Sequence, residues 1–458
     1  MEQESQSSPA DETTKRRLET WLSNLSAPAV LGYGLPLTWI AVLLVLGGHL
    51  SPVLRFIGAT AGLLFSIKVG SWLLLRASAQ EYSLSPVQTL TFWTVWPGVR
   101  PDLFAGSSEH GKPDEGTFLV GYTYLFVGAI LVFVSLLVPP IIGVVHSTWL
   151  LLFGLLAFVH MGIGRLLPFG LRWVGYPVPP LFNDPLKSTS VGDFWSDRWN
   201  RPFVNMNRLF LTGPLSSRIG IAGAAALAFL VSGFLHELAI SYPAGAGWGL
   251  PFLYFLVQGL LYTAEKTVFP ELDGRPVLGR VWTYLAVLIP LPLLFHAPFR
   301  TTFLVPVIEW GRLLLLSFPL DTYVALGLWI GAAGHFLVLG ASFQVPKQLD
   351  WHTDLDSLDS LNRKLMWTYG GFIVLMIVAF GVLTVLFHDQ FVAGTPVALG
   401  LCATIAIFWS ARILVDTFYF SHDDWPDGIE FVVGHALLTS LFLLLVLIYA
   451  GTVAVHVL

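Results

Sequence analysis

Apolar runs about as long as a bilayer crossing recur along this chain, and they leave few folds open. Such a crossing takes about 20 predominantly apolar residues. Residues 27–49, 53–75, 117–138, 141–166, 219–240, 250–269, 281–295, 302–318, 324–341, 370–387, 397–420 and 431–457 meet or approach that length. None shows the strict alternation of a lipid-facing strand, which argues against a membrane β-barrel. Backbone groups inside lipid must bond within their own segment, and that leaves helices. Composition agrees, because charged residues make up 12% of the chain against about 25% in soluble domains. So few charges cannot cover a water-facing surface of 458 residues.

The expectation is an all-α polytopic integral membrane protein with about eleven transmembrane helices. Two runs are short, 281–295 and 302–318. The second carries Glu309 and Arg312, and either charge at the bilayer centre costs about 2.5–3.5 kcal/mol by insertion scales. We read 302–318 as a dip rather than a crossing. Residues 1–26 are polar, without the apolar stretch of a signal peptide, and read as a disordered cytoplasmic tail.

Positive residues set the orientation. Lys15, Arg16 and Arg17 precede the first run, so the amino terminus is expected in the cytoplasm. Alternation puts the most basic stretch on the same side, with Arg165, Arg172, Lys187, Arg198, Arg201, Arg208 and Arg218. Treating 302–318 as a dip also keeps Lys347, Arg363 and Lys364 in the cytoplasm. No basic block suggests nucleic acid. The single cysteine, Cys402, lies in an apolar run, so neither a disulfide framework nor a cysteine metal site is available.

Two stretches depart from this apolar background. The first is Ser190-Val-Gly-Asp-Phe-Trp-Ser-Asp-Arg-Trp-Asn-Arg-Pro, ending at Pro202 in the basic loop. Helical spacing puts Trp195 and Trp199 on one face, as in an interfacial helix anchored by aromatics. Asp193 and Asp197 are placed to pair with the neighbouring arginines. The second is Phe229-Leu-Val-Ser-Gly-Phe-Leu-His-Glu-Leu, ending at Leu238. It sets His236 and Glu237 inside an apolar helix, where ionisable groups are costly and mark functional sites by default. Gly233 leaves room for a neighbouring backbone or a substrate.

The two stretches, in this order, resemble the membrane-bound O-acyltransferase (MBOAT) superfamily, and most closely its wax-synthase-like branch. Ser190, Asp193, Phe194, Trp195, Arg198, Trp199 and Asn200 fill the first half of that pattern, and Ser232, Gly233, His236 and Glu237 the second. Trp96-Pro-Gly-Val-Arg-Pro101, Gln258-Gly259 and Glu265 also resemble it, so the likeness covers roughly residues 90–310.

The resemblance implies an MBOAT-like helical core with an enclosed tunnel over residues 27–320. Residues 321–458 would be additional transmembrane helices of unassigned role. It implies His236 as catalytic base and Asn200 as the second catalytic residue, with Trp195, Trp199, Arg198, Arg201 and Glu237 at the substrates. Histidine is the commonest group for taking a proton near neutrality, and an amide donor suits a thioester carbonyl. Arg198 and Arg201 could attract the phosphates of coenzyme A or simply pair with Asp193 and Asp197. Acyl-CoA would be co-substrate, a lipid alcohol the acceptor, and no resident cofactor or metal is expected.

Other readings remain open at this stage. A related acyltransferase could use a sugar or polymer hydroxyl, and a proton-coupled transporter could use His236, Glu237 and Glu265 as a relay. No G-x-S-x-G nucleophile elbow occurs. His110-Gly-Lys-Pro-Asp114 reads as a loop. The acidic group Asp350, His352, Asp354, Asp356 and Asp359 reads as capping and exposed surface before a metal site. His422-Asp-Asp-Trp-Pro426 reads as a solvated turn.

Overall fold

A computed structural model describes residues 27–77, 82–105, 114–138, 143–268, 275–420 and 428–457. The amino-terminal tail, residues 110–113 of the His110 loop, and His422–Pro426 lie outside them. Among the described residues every regular element is a helix. Ten helices among the described residues are long and apolar enough to cross a membrane, within one of the eleven expected.

Two further helices are long enough to cross but more polar. One is Leu250–Val268. The other joins Ala297–Phe299, Arg300–Leu304 and Val305–Leu316 without a break, about 30 Å at 1.5 Å per residue. It outlasts the apolar run at 302–318 because His296 caps it, its side chain accepting from the Phe299 amide, and Pro298 sits in its first turn. Length therefore no longer separates a dip from a crossing, and only Arg300, Glu309 and Arg312 set this helix apart.

Helix starts follow local chemistry. Ser51 accepts from the Leu54 amide ahead of Pro52, and Ser85 and Gln88 form a reciprocal capping box ahead of Pro86.

The described residues form two compact units. One runs to Trp310, apart from Asp114–Leu119, and the other takes that stretch and continues from Gly311. In the second unit, Leu320–Ser342, Ser360–Leu386, Pro396–Phe418 and Ile429–Val457 pack around Leu328, Cys402, Ile405, Trp409, Leu445 and Tyr449. Several of its buried polar groups bond to one another, while Thr439 Oγ1 is buried with no partner among the described residues. His335 Nδ1 donates to the Gly331 carbonyl (2.8 Å) and its Nε2 accepts from Trp409 Nε1 (3.1 Å), while the Thr384 and Tyr449 hydroxyls pair at 2.7 Å. Asp416 accepts from Arg412 at 3.0 Å and faces His435 at 3.1 Å. Asp356 pairs with Arg363, and no cluster of three His, Cys, Asp or Glu side chains occurs among the described residues. The bonded groups are tied inside the bundle, as hydrocarbon surroundings favour.

The first unit is irregular by comparison. It holds every π-helical segment found among the described residues: Gly58–Gly62, Leu156–Ile163, Phe194–Arg198, Arg208–Thr212, Glu237–Ser241 and Arg300–Leu304. Such turns concentrate at functional sites, and three of them flank or fill the two motifs. Lys68 is buried in the helical stretch 52–76 and donates to the Trp96 carbonyl at 2.7 Å. That bond fixes the Trp96–Pro101 segment, where a Cβ on Gly98 would lie 2.2 Å from the Trp96 indole nitrogen.

Candidate active site

The first motif is a short, bent segment rather than one interfacial helix. Ser190 caps Val191–Asp193, its hydroxyl accepting from the Asp193 amide at 2.8 Å. A π turn over Phe194–Arg198 follows, closed by the Trp199 amide on the Phe194 carbonyl at 2.8 Å. Trp199 is extended, and Asn200 takes a left-handed conformation with φ 45°, which asparagine tolerates better than most residues. The Asn200 side-chain oxygen accepts from the Phe203 amide at 3.3 Å and starts helix Arg201–Asn207.

This bend separates the two tryptophans that helical spacing puts on one face. The extra residue of the π turn and the extended Trp199 send the indoles to different neighbours. Trp195 packs on Phe255 with ring centroids 5.5 Å apart. Trp199 stacks between Phe194 and His160, at 5.5 and 5.9 Å with interplanar angles of 13° and 8°. His160 drew no attention in the sequence, sitting alone in an apolar run. It lies on the π turn Leu156–Ile163, and its Nδ1 is buried without a partner among the described residues.

Both motif arginines are engaged inside the segment. Arg198 donates to Asp193 at 2.6 Å and to the Asn183 carbonyl at 3.2 Å. Arg201 lies 3.9 Å from Asp197, whose other oxygen accepts from Asn183 at 2.8 Å. Both arginines thus face the Asp193 and Asp197 carboxylates.

The second motif ends a helix that the sequence alone suggests is straight. Gly220 (φ 74°, ψ 164°) breaks it, leaving residues 221–236 as the continuous stretch, about 24 Å long. At its end His236 Nδ1 lies 2.7 Å from the Ser232 carbonyl. A carbonyl only accepts, so Nδ1 carries the proton and Nε2 keeps its lone pair. No described residue bonds Nε2. Gly233 admits a backbone, since a Cβ there would lie 3.1 Å from the Phe252 Cα. Glu237 is buried; one oxygen accepts from the Phe252 amide at 3.0 Å, and the other has no partner among the described residues.

Helix Leu250–Val268 holds the two motifs in register. Side chains three or four apart share a helix face, and one face of this helix meets both motifs in turn. The Phe252 amide meets Glu237, and the Phe255 ring packs on His236 with centroids 4.3 Å apart. Gln258 accepts from the Trp195 indole at 3.0 Å and donates to the Ala286 carbonyl at 2.8 Å. Tyr262 lies against Gly192. Glu265 accepts from the Val191 and Gly192 amides at 3.1 and 3.3 Å, supplying the carboxylate that a helix amino terminus favours. Gln258 and Glu265 stand seven residues apart, a two-turn repeat that puts both on one helix face.

A cavity of about 240 Å³ opens between the motifs, lined by Trp195, Phe203, Ala228, Phe229, Ser232 and Phe255 among others. It borders both expected catalytic residues without containing either. Ser232 and Phe255 are the residues that touch His236, and Phe203 is the one bonded to Asn200. No hydrogen bond joins Asn200 to His236.

Comparison with known proteins adds an independent finding. Residues 178–257 match the membrane bound O-acyl transferase family. Over 161 residues the chain is 30% identical to acyl-CoA–sterol O-acyltransferase 1 of Arabidopsis thaliana, covering 32% of this chain and 43% of that protein. It is 31% identical over 117 residues to the long-chain-alcohol O-fatty-acyltransferase of Simmondsia chinensis, covering 23% and 33%. It is 40% identical over 127 residues to probable long-chain-alcohol O-fatty-acyltransferase 2 of Arabidopsis thaliana, covering 25% and 36%. The matched stretch spans less than half the length of each of these relatives.

Removing the Glu265 carboxylate leaves two amides without their acceptor, at about 1–3 kcal/mol for each group left unpaired. Glu265→Ala is expected to lower the melting temperature in detergent by several degrees, and Glu265→Gln, which keeps one acceptor oxygen, by less. Equal melting of the two variants and the parent would remove Glu265 from this role.

Proposed function

We propose that this chain, which belongs to the membrane-bound O-acyltransferase superfamily, moves an acyl group from acyl-CoA to the hydroxyl of a hydrophobic alcohol. The observation that carries the reading is the state of His236. Its Nδ1 is committed to the Ser232 carbonyl and its Nε2 lone pair is unengaged, beside a cavity with mostly apolar walls. In this reaction Nε2 takes the hydroxyl proton as the alcohol oxygen attacks the thioester carbonyl. The carbon–sulfur bond then breaks, and the proton passes from His236 to the departing sulfur. The ester and free coenzyme A are the products, and atoms and charge balance.

Asn200 suits the second role. Its oxygen is held by the Phe203 amide while its amide nitrogen has no partner among the described residues. That N–H can meet the carbonyl oxygen as charge develops on it, a contribution of about 3–4 kcal/mol for a well-placed donor. Glu237 holds the histidine helix to Leu250–Val268. The acceptor class follows the named substrates of the relatives, long-chain alcohols and a sterol, together with the apolar walls. The domain reading goes with this: residues 27–320 carry the reaction, and 321–458 add a helical bundle in which His335, Trp409, Thr384 and Tyr449 are hydrogen-bonded.

His236→Ala is expected to insert and fold but to lose at least about a hundredfold in turnover, as general-base removal does, with a smaller loss for Asn200→Ala. Release of coenzyme A thiol by the purified protein with acyl-CoA and a long-chain alcohol measures it. A proton-coupled transporter would release none, and parental turnover by His236→Ala would end its role as base.

The donor is delivered from the cytoplasm, the side on which the positive-inside rule places the basic loop. Lys187 is exposed in that loop. A Lys187→Cys variant in a Cys402→Ser background should resist an impermeant maleimide in intact cells and react once they are permeabilised. Labelling of intact cells would reverse the orientation.

A further inference from the structure

One end of the same cavity holds two polar groups that the motif does not engage. The hydroxyls there are spoken for: Thr212 donates to the Asn207 carbonyl, Ser216 to Gly213 and Ser196 to Gly192. Asn207 differs. Its side-chain amide makes no hydrogen bond to any described residue, and its Oδ1 is buried without a partner. Arg208, the next residue, also lines the cavity, is exposed, and has no ion pair or side-chain hydrogen bond among the described residues. Arg198 and Arg201 of the motif are both paired. A buried amide oxygen without a partner is costly, and a ligand offering a matching donor would offset that cost. The terminal torsion of asparagine is soft, so the group can offer either its N–H or its carbonyl.

We infer that Asn207 and Arg208 form the handle subsite for the acyl donor, the amide pairing with a pantetheine amide and the guanidinium meeting a coenzyme A phosphate. The inference rests on the acyl-transfer reading above and assigns the recognition of the donor to residues outside the family motif. The chemistry fits in order along the ligand. A phosphate belongs at an exposed cation, a secondary amide at an enclosed primary amide, and the thioester further in, where Ser232 and Phe255 border His236. Arginine suits phosphate through its planar fork of donors, and an exposed charge makes the contact sensitive to salt.

Three donors carrying the same acyl chain separate the contributions: acyl-CoA, with phosphates and amides; acyl-pantetheine, with amides alone; and the S-ethyl thioester, with neither. Arg208→Gln should raise KM about tenfold for acyl-CoA at low salt, less at high salt, and leave acyl-pantetheine within about twofold. Asn207→Leu should raise KM about tenfold for acyl-CoA and acyl-pantetheine alike and leave the S-ethyl thioester within about twofold. Asn207→Ala gives the same pattern and guards against a packing fault in the leucine variant. An equal rise for all three donors, or a rise in KM for the alcohol instead, overturns the inference while transfer itself stands. Absence of transfer by the parental protein from every donor overturns the acyl-transfer reading and the subsite with it.

Discussion

The contact between one face of helix Leu250–Val268 and the two motifs is the constraint on which the site depends. The motifs are far apart in sequence, and each is locally irregular: one bends through a π turn and a left-handed asparagine, and the other ends in a π turn just past its histidine. Neither could hold a position relative to the other unaided. The helix supplies a straight reference, with Phe255 under His236, Gln258 on Trp195 and Glu265 on the first amides of the motif. Gly233 lets the reference approach within backbone contact. A displacement of about 1 Å can cost a hundredfold in rate, so a register fixed by buried hydrogen bonds matters more here than the number of apolar contacts.

Inside a bilayer a group without a partner is expensive, and in the second unit His335, Trp409, Thr384 and Tyr449 bond to one another. The first unit leaves His236 Nε2, the Asn200 amide nitrogen, the Asn207 amide and one Glu237 oxygen unengaged. The first three border the cavity or are in contact with residues that do. Open groups beside an enclosed volume leave hydrogen-bonding capacity there for a bound molecule.

Much of this could be read from the sequence, and the remainder has identifiable causes. The helices were legible because lipid imposes length and composition on every crossing. The motifs were legible because charge inside apolar runs is rare. The separate directions of Trp195 and Trp199 were not, since a π turn leaves no mark in a 3.6-residue periodicity. The break at Gly220 and the true length of the helix ending at Leu316 were hidden for a similar reason: they depend on single backbone angles and a histidine cap. Sequence left the roles of Arg198 and Arg201 undecided between ligand and ion pair, and the fold pairs both. His160 and Asn207 gave no signal at all. Their standing comes from what the folded chain fails to offer them.

On this proposal the acyl group changes hands in the cavity between the motifs. That placement is tested most directly by an experimental structure of the protein with an acyl-CoA analogue in which a methylene replaces the thioester sulfur. The account predicts the ketone carbon beside His236 Nε2, its oxygen toward the Asn200 amide nitrogen, and the handle running past Asn207 to Arg208. An analogue bound elsewhere in the protein, with this cavity left empty, would contradict it.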